Sequence, residues 1–449
     1  MRKISAILAA MLLAAASLAG QSYQQALFLD GYRLAYRYNP AIQNESGFLS
    51  VGQWENQTRA NFGAASFLYP RGDEVVTALH SSVSSQEFLG SLNEDNYTSG
   101  NIALNLFSYG VRKGESYFTL ESNIRAMYSL SIPKEIFEIA KLGTGEKTYD
   151  LGGISAGADA IVEVACGYSR RLSDRLSVGA RAKLLVGIEA LRYNVTRFNM
   201  SFDEDAYTAD VEAKLDLTSR WSKIRTDDEG YLNLMDLSAK DRWRLPSGAG
   251  LAVDLGAVYT PIEGLTLSAS ALDLGGLLWY YGNAGHSKGT TTFTGMQSLS
   301  TDDIKDGKVE EELRKVQEEF MTSIKIKSVK SRTALEAVPF NLNLAAKYEL
   351  PFYRALAVGA SGNYFAVSGM PYSEVRGVLA WNHFPWLGIT ANAGTGSYGA
   401  VWGAGLNAAI RNFHLTVAYA DGFGGKVPYT NWQLQAANKV VTIGLTYDL

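Results

Sequence analysis

The stretch RLSVGARAKLLVGIEAL, residues 175–191, decides how the rest of the chain is read. Leu176, Val178, Ala180, Ala182, Leu184, Val186 and Ile188 stand at every second position, and Arg181, Lys183 and Glu189 lie between them. A period of two puts the apolar set on one face of a strand and the charged set on the other. Strands of soluble domains average about six residues, whereas a tilted strand needs about ten to cross a membrane. A run this long, apolar on one face and charged on the other, suits the wall of a transmembrane barrel.

The alternation recurs along the chain. In YFTLESNIRA (117–126), Phe118, Leu120 and Ile124 oppose Glu121, Asn123 and Arg125. In NLNLAAKYEL (341–350), Leu342, Leu344, Ala346, Tyr348 and Leu350 oppose Asn341, Asn343, Lys347 and Glu349. LTLSASAL (265–272) repeats the pattern, as does KVVTIGLTYDL (439–449), which alternates to the last residue. Chain ends usually fray, so a terminal strand needs neighbours. Closing a barrel onto its first strand supplies them.

Composition agrees. The chain has 44 Gly, 25 Tyr, 18 Phe and 8 Trp against 10 Pro, with mean hydropathy −0.06 and net charge −4. Many aromatics and glycines without an apolar block fit strands that meet lipid outside, a lumen inside and aromatic girdles at the interfaces. The mild charge points to no nucleic-acid partner. Residues 1–20, with Arg2 and Lys3 before the apolar run Ile4–Leu18, read as a secretory signal peptide. No later stretch reaches the roughly eighteen apolar residues of a membrane helix. Cys166 is the single cysteine, so no internal disulfide can form.

Short connections fall at Lys113-Gly114, Ser173-Asp174, Ile262-Glu263-Gly264, Pro351-Phe352, Pro385-Trp386 and Arg411-Asn412. With these on the periplasmic side, the long connections 132–147, 276–337 and 421–437 become external, and the C-terminus falls beside the short turns. Thirteen spans follow from about residue 101, if 204–240 is an external hairpin; one more near 58–69 gives an even total of about fourteen. The fold class is therefore all-β: a transmembrane antiparallel barrel of about 14 strands, within roughly 12–16. Residues 21–100 form an N-terminal plug and first strand, and 101–449 form the barrel. VSSQEFLGSL (83–92) opens with a capping box and reads as a short helix. Val309, Leu313, Val316 and Phe320 stand at helical spacing in the longest loop, where we expect a helix lying over the outer mouth as a lid.

Two patterns that suggest chemistry lack the context it needs. Gly153-Ile154-Ser155-Ala156-Gly157 matches a nucleophile elbow, but alternating residues follow it where a helix is required. Gly394–Gly399 matches a dinucleotide-binding fingerprint, again followed by a strand. His80, His286, His383 and His414 have no metal-ligand spacing. His383, beside Trp381 and Trp386, reads as part of an interfacial girdle. We therefore expect no catalytic residues, metal or cofactor. The lumen-lining candidates are Glu121, Asn123, Arg125, Arg181, Lys183, Glu189, Asn341, Asn343, Lys347 and Glu349. They form either a paired network that fills the lumen or part of a solute path.

The segment YRYNPAIQNESGFLSVG contains Asn39-Pro40-Ala41, which resembles the Asn-Pro-Ala element of the FadL-type fatty-acid transporters and relatives such as PorV. With SALDLGGLLWYYGNA (270–284), VPFNLNLAAKYEL (338–350) and the closing strand, the chain is most similar to a Bacteroidota outer-membrane family of unknown function. One departure is the final Leu449, where such barrels usually end in an aromatic residue. The resemblance implies a lumen plugged by the N-terminal segment, with Asn39, Pro40 and Ala41 as the plug motif. It implies passive transport or binding of a small hydrophobic molecule. A non-transporting scaffold or secretion-system partner is the alternative, and a barrel hydrolase a weaker one. The implied partners are outer-membrane lipid, the barrel-assembly machinery and a small hydrophobic ligand.

Overall fold

The computed structural model describes residues 27–62, 66–72, 74–202, 207–218, 222–239, 246–293, 325–366, 371–397, 399–423 and 439–449. Fourteen antiparallel strands close into a barrel. In chain order they are β1 (Phe48–Ser50 with Gln53–Ala60), β2 (Asp95–Lys113), β3 (Ser116–Pro133), β4 (Ser155–Ser173) and β5 (Leu176–Phe202). Next come β6 (Gly248–Ile262), β7 (Leu265–Phe293), β8 (Lys327–Val329, Arg332–Ala337 and Phe340–Leu350) and β9 (Tyr353–Ala366). The last are β10 (Tyr372–Phe384), β11 (Leu387–Gly396), β12 (Gly399–Ile410), β13 (Phe413–Phe423) and β14 (Lys439–Asp448).

Closure is made by β1, which pairs with β2 on one edge and β14 on the other; Leu49 faces Tyr109 and Tyr447. The final strand is thus held on both sides. The first strand therefore lies at 48–60, upstream of the 58–69 expected from the sequence, because its polar face had hidden it. Gln53, Glu55, Gln57 and Arg59 face the lumen, and Trp54 is the one large apolar residue on the other face.

All six short connections lie at one end, beside the C-terminus. Gly114, Gly264 and Arg411 take positive φ there (60°, 81° and 56°), as tight hairpins require. The opposite end is elaborate. Strand Tyr207–Thr218 continues the wall above β6 by pairing with both β5 and β7. Only part of the 204–240 region is therefore a separate hairpin, Ser222–Thr226 with Leu232–Ala239. Both ends of 276–337, expected as loop, are also wall, because β7 runs on to Phe293 and β8 starts at Lys327. Helix α1 (Ser85–Leu89) is capped by Ser84, whose hydroxyl accepts from the Glu87 amide, and α2 (Lys134–Leu142) follows β3. Their Phe88 and Phe137 meet Phe62, Phe67 and Tyr69 in an external lobe with its own core. Val309, Leu313, Val316 and Phe320 lie outside the described residues.

The two faces of the wall separate cleanly. Leu104, Leu120, Leu184, Leu251, Leu344, Leu379 and Leu445 are exposed outward, while their neighbours Asn105, Glu121, Lys183, Asn343 and Thr446 are buried inward. Cys166 also lies on the outer face. Rings gather at the short-turn end: Phe118 with Tyr168, Phe384 with Trp386 and Phe413 with Tyr447, at centroid distances of 5.0–5.6 Å. His383 belongs there, stacked on Trp381 and bonded to the Tyr353 hydroxyl at 3.1 Å. An apolar band with such a girdle makes the chain a multi-pass outer-membrane barrel.

Candidate functional site

The segment from residue 27 to residue 46 occupies the lumen at the short-turn end. Phe28, Leu29, Tyr32, Leu34 and Tyr36 are buried there, around a single 3-10 turn at Ala35–Arg37. The Asn39-Pro40-Ala41 motif fixes the segment to the wall. The Asn39 amide donates to the carbonyl oxygens of Ala257 and Ala269 at 3.0 and 3.1 Å and to the Ser268 hydroxyl at 2.7 Å. Its carbonyl accepts from the Ala41 amide at 2.9 Å, which turns the chain. The fit depends on two wall glycines. A Cβ at Gly256 would lie 2.0 Å from Asn39 Oδ1, and one at Gly179 would lie 2.3 Å from the Pro40 carbonyl.

Ionic contacts tie the rest of the plug. Arg33 donates to Asp448 at 2.7 and 2.5 Å, joining the plug to the closing strand, and Lys347 donates to Asp30 at 3.0 Å. Tyr36 donates to Glu121 at 2.7 Å and Tyr38 to Glu55 at 3.0 Å. Burial pushes the Tyr32 hydroxyl up to about 12, so it stays protonated where it accepts from Gln53 at 3.1 Å.

Above the plug lies a buried ion network. Lys183 Nζ is 2.6 Å from Asp273, 2.9 Å from Asp254 and 3.9 Å from Glu163. Arg125 bridges Glu163 and Asp273, at 3.0 Å to each. Arg181 pairs with Glu121 and with Asp254 at 3.1 Å, and Arg37 lies 3.5 Å from Glu121. Four cations thus meet four carboxylates, the arrangement that makes buried charge tolerable.

Of the ten lumen candidates, Glu121, Asn123, Arg125, Arg181 and Lys183 meet in this network. Asn341 and Asn343 line the cavity beside it. Lys347 and Glu349 form a separate pair, 3.5 Å apart, at the plug end. Glu189 stands apart: a bulge opposite Ala160 and Ile161 breaks the alternation before it, and it accepts from the Thr218 hydroxyl. Glu163 and Asp254 could have been read from their polar face. Asp273 could not, because its parity is that of the outward residues Leu265 and Leu267. A bulge in β7 and a positive φ of 62° turn it inward. The nucleophile-like Ser155 begins a strand and Gly394–Gly399 spans a hairpin, so neither has the helix its motif requires.

Two cavities lie over the plug. The lower, of about 90 Å³, is bounded by Arg37, Tyr38 and the network on one side and Asn341, Asn343 and Asn363 on the other. The upper vestibule, of about 880 Å³, carries Met127, Tyr128, Val338, Phe340 and Phe365. Several of its charges are paired: Arg192 with Asp159 and Glu336, at 2.7 and 2.8 Å, and Arg332 with Asp216. Asn101 lines both cavities.

Similar solved structures include the toluene transporter TodX of Pseudomonas putida, at 9% identity and TM-score 0.43, covering 96% of this chain and 98% of that one. The Ralstonia pickettii toluene transporter TbuX gives 11% identity and TM-score 0.45, over 96% and 99%. A FadL homologue of Pseudomonas aeruginosa gives 12% and 0.44, over 96% of each chain. A search of curated proteins found no match. Residues 40–420, from the plug motif to β13, match the model of a family of unknown function, DUF5723. The chain belongs to the DUF5723 family.

Proposed function

We propose that this barrel takes up a small, largely hydrophobic molecule passively through an outer vestibule, with the N-terminal segment as the closed gate beneath it. The observation that carries the reading is the vestibule itself, part-lined by Met127, Tyr128, Phe340 and Phe365 and adjoining the lower cavity that the plug walls. Clefts of several hundred Å³ with apolar walls and a few placed polar groups are the usual form of a small-molecule site. Outside, lipid would cover the apolar band, and the assembly machinery would read the closing strand.

Entry of the apolar dye N-phenyl-1-naphthylamine into cells making the protein tests this. Entry should be faster than in cells lacking the protein, and faster again with Gly256→Ala, which displaces Asn39. Entry that is equal in all three would remove the uptake reading. It would leave the scaffold alternative, which the external lobe around Phe62, Phe67, Phe88 and Phe137 favours as a surface for a partner.

A further inference from the structure

The lower cavity has a composition unlike that of the vestibule. Its ionisable lining comprises Arg37, Arg125, Arg181 and Lys183 against Glu55, Glu163, Asp273 and Glu374, so its formal charge is zero. The rest is largely amide. Asn363 donates to Asn343 at 2.5 Å, and Asn343 donates to the Ser270 hydroxyl at 3.1 Å. Three polar atoms of its lining residues lack a hydrogen-bond partner: the acceptor Asn101 Oδ1, where the two cavities abut, and the donors Arg37 Nη1, from the plug, and Arg181 Nε. Buried polar atoms normally find partners, so these mark places for a ligand or water.

Three physical points narrow the occupant. A charged group entering this space would meet cations and carboxylates already committed to each other, and its desolvation would go uncompensated. Hydroxyl and amide groups both donate and accept, which matches a lining offering a free acceptor at one edge and a free donor at another. At about 10–15 Å³ per water centre, the volume holds roughly six to nine water-sized groups, the size of a glycerol moiety.

We propose that the lower cavity holds the uncharged, hydroxyl- or amide-bearing head of an amphiphile whose apolar body lies in the vestibule. This rests on the uptake reading and specifies its substrate class. The head reaches the plug itself, because Arg37 and Tyr38 form part of the cavity wall.

Calorimetry on the full chain in lipid nanodiscs, with empty nanodiscs subtracted, tests the assignment with three probes of equal chain length. These are 1-octanoylglycerol, octanoate and octyltrimethylammonium. The neutral glyceride should bind about tenfold or more tightly than either ion, the discrimination expected when a polar site admits only one partner chemistry. Asn101→Ala removes an acceptor that makes no bond within the chain and so spares the fold; it should weaken the glyceride several-fold and leave both ions unchanged. Octanoate or octyltrimethylammonium binding as tightly as the glyceride would overturn the head-group assignment and leave uptake standing. No binding of any probe would overturn both.

Discussion

At the residue scale, Lys183 carries the most consequence, because three carboxylates depend on one ammonium group. Lys183→Met leaves Glu163, Asp254 and Asp273 with less positive charge than they were built around. Removing one member of a buried ionic set costs about 3–5 kcal/mol. Arg354→Met removes a surface partner of Glu263, both side chains being well exposed, and should cost about 0–1 kcal/mol. Urea unfolding in liposomes compares the two, and equal losses would mean that the network does not stabilise the barrel. Much of this network was legible from alternation. Glu121, Arg125, Arg181 and Lys183 alternate with outward apolar residues, and so do Glu163 and Asp254. Asp273 and Glu189 were not, since a one-residue bulge exchanges the two faces and no periodic reading registers it. The glycine niches for Asn39 and Pro40 were hidden for another reason: glycine abounds in this chain, and only three-dimensional contact marks Gly179 and Gly256.

At the element scale, the unequal strand lengths decide where the membrane lies. β5 has 27 residues and β7 has 29. At about 3.3 Å per residue each is about 90 Å long, far more than a tilted strand needs for an apolar band of about 25 Å. The surplus lies at the end away from the short turns and carries the added strand Tyr207–Thr218. Val178, near the start of β5, therefore sits close to the short turn after Ser173, at the membrane boundary. Leu184, 50% exposed, is the better probe of the bilayer interior. Leu184→Arg should cost about 2–4 kcal/mol and Val178→Arg about 0–1 kcal/mol, since the penalty falls toward the interface. Unfolding in liposomes reads both, and the reverse order would misplace the membrane. Strand positions and the six short turns were legible because local alternation and turn residues set them. The outer ends were not, because there the wall is completed by a strand that turns back from β5 and pairs on its other edge with the distant β7.

At the scale of the whole molecule, wall and plug meet. β1 and β14 close the wall, and the N-terminal segment packs inside the lumen at the short-turn end. Arg33 and Asp448 join the two, linking the plug to the last strand. The resemblance carried by Asn39-Pro40-Ala41 implied a plug, and composition and strand count indicated a barrel. What holds the plug in place is a property of neither part alone: it depends on wall glycines that accept a motif more than a hundred residues away. Seated in those niches, the plug should seal the barrel at rest. Conductance in planar bilayers tests it most directly, with wild type compared with Gly179→Ala and Gly256→Ala, each checked for intact folding by its heat-modified mobility on gels. Wild-type barrels should be silent, and both variants should show discrete conductance steps. Steady wild-type conductance equal to that of the variants would contradict such a seal.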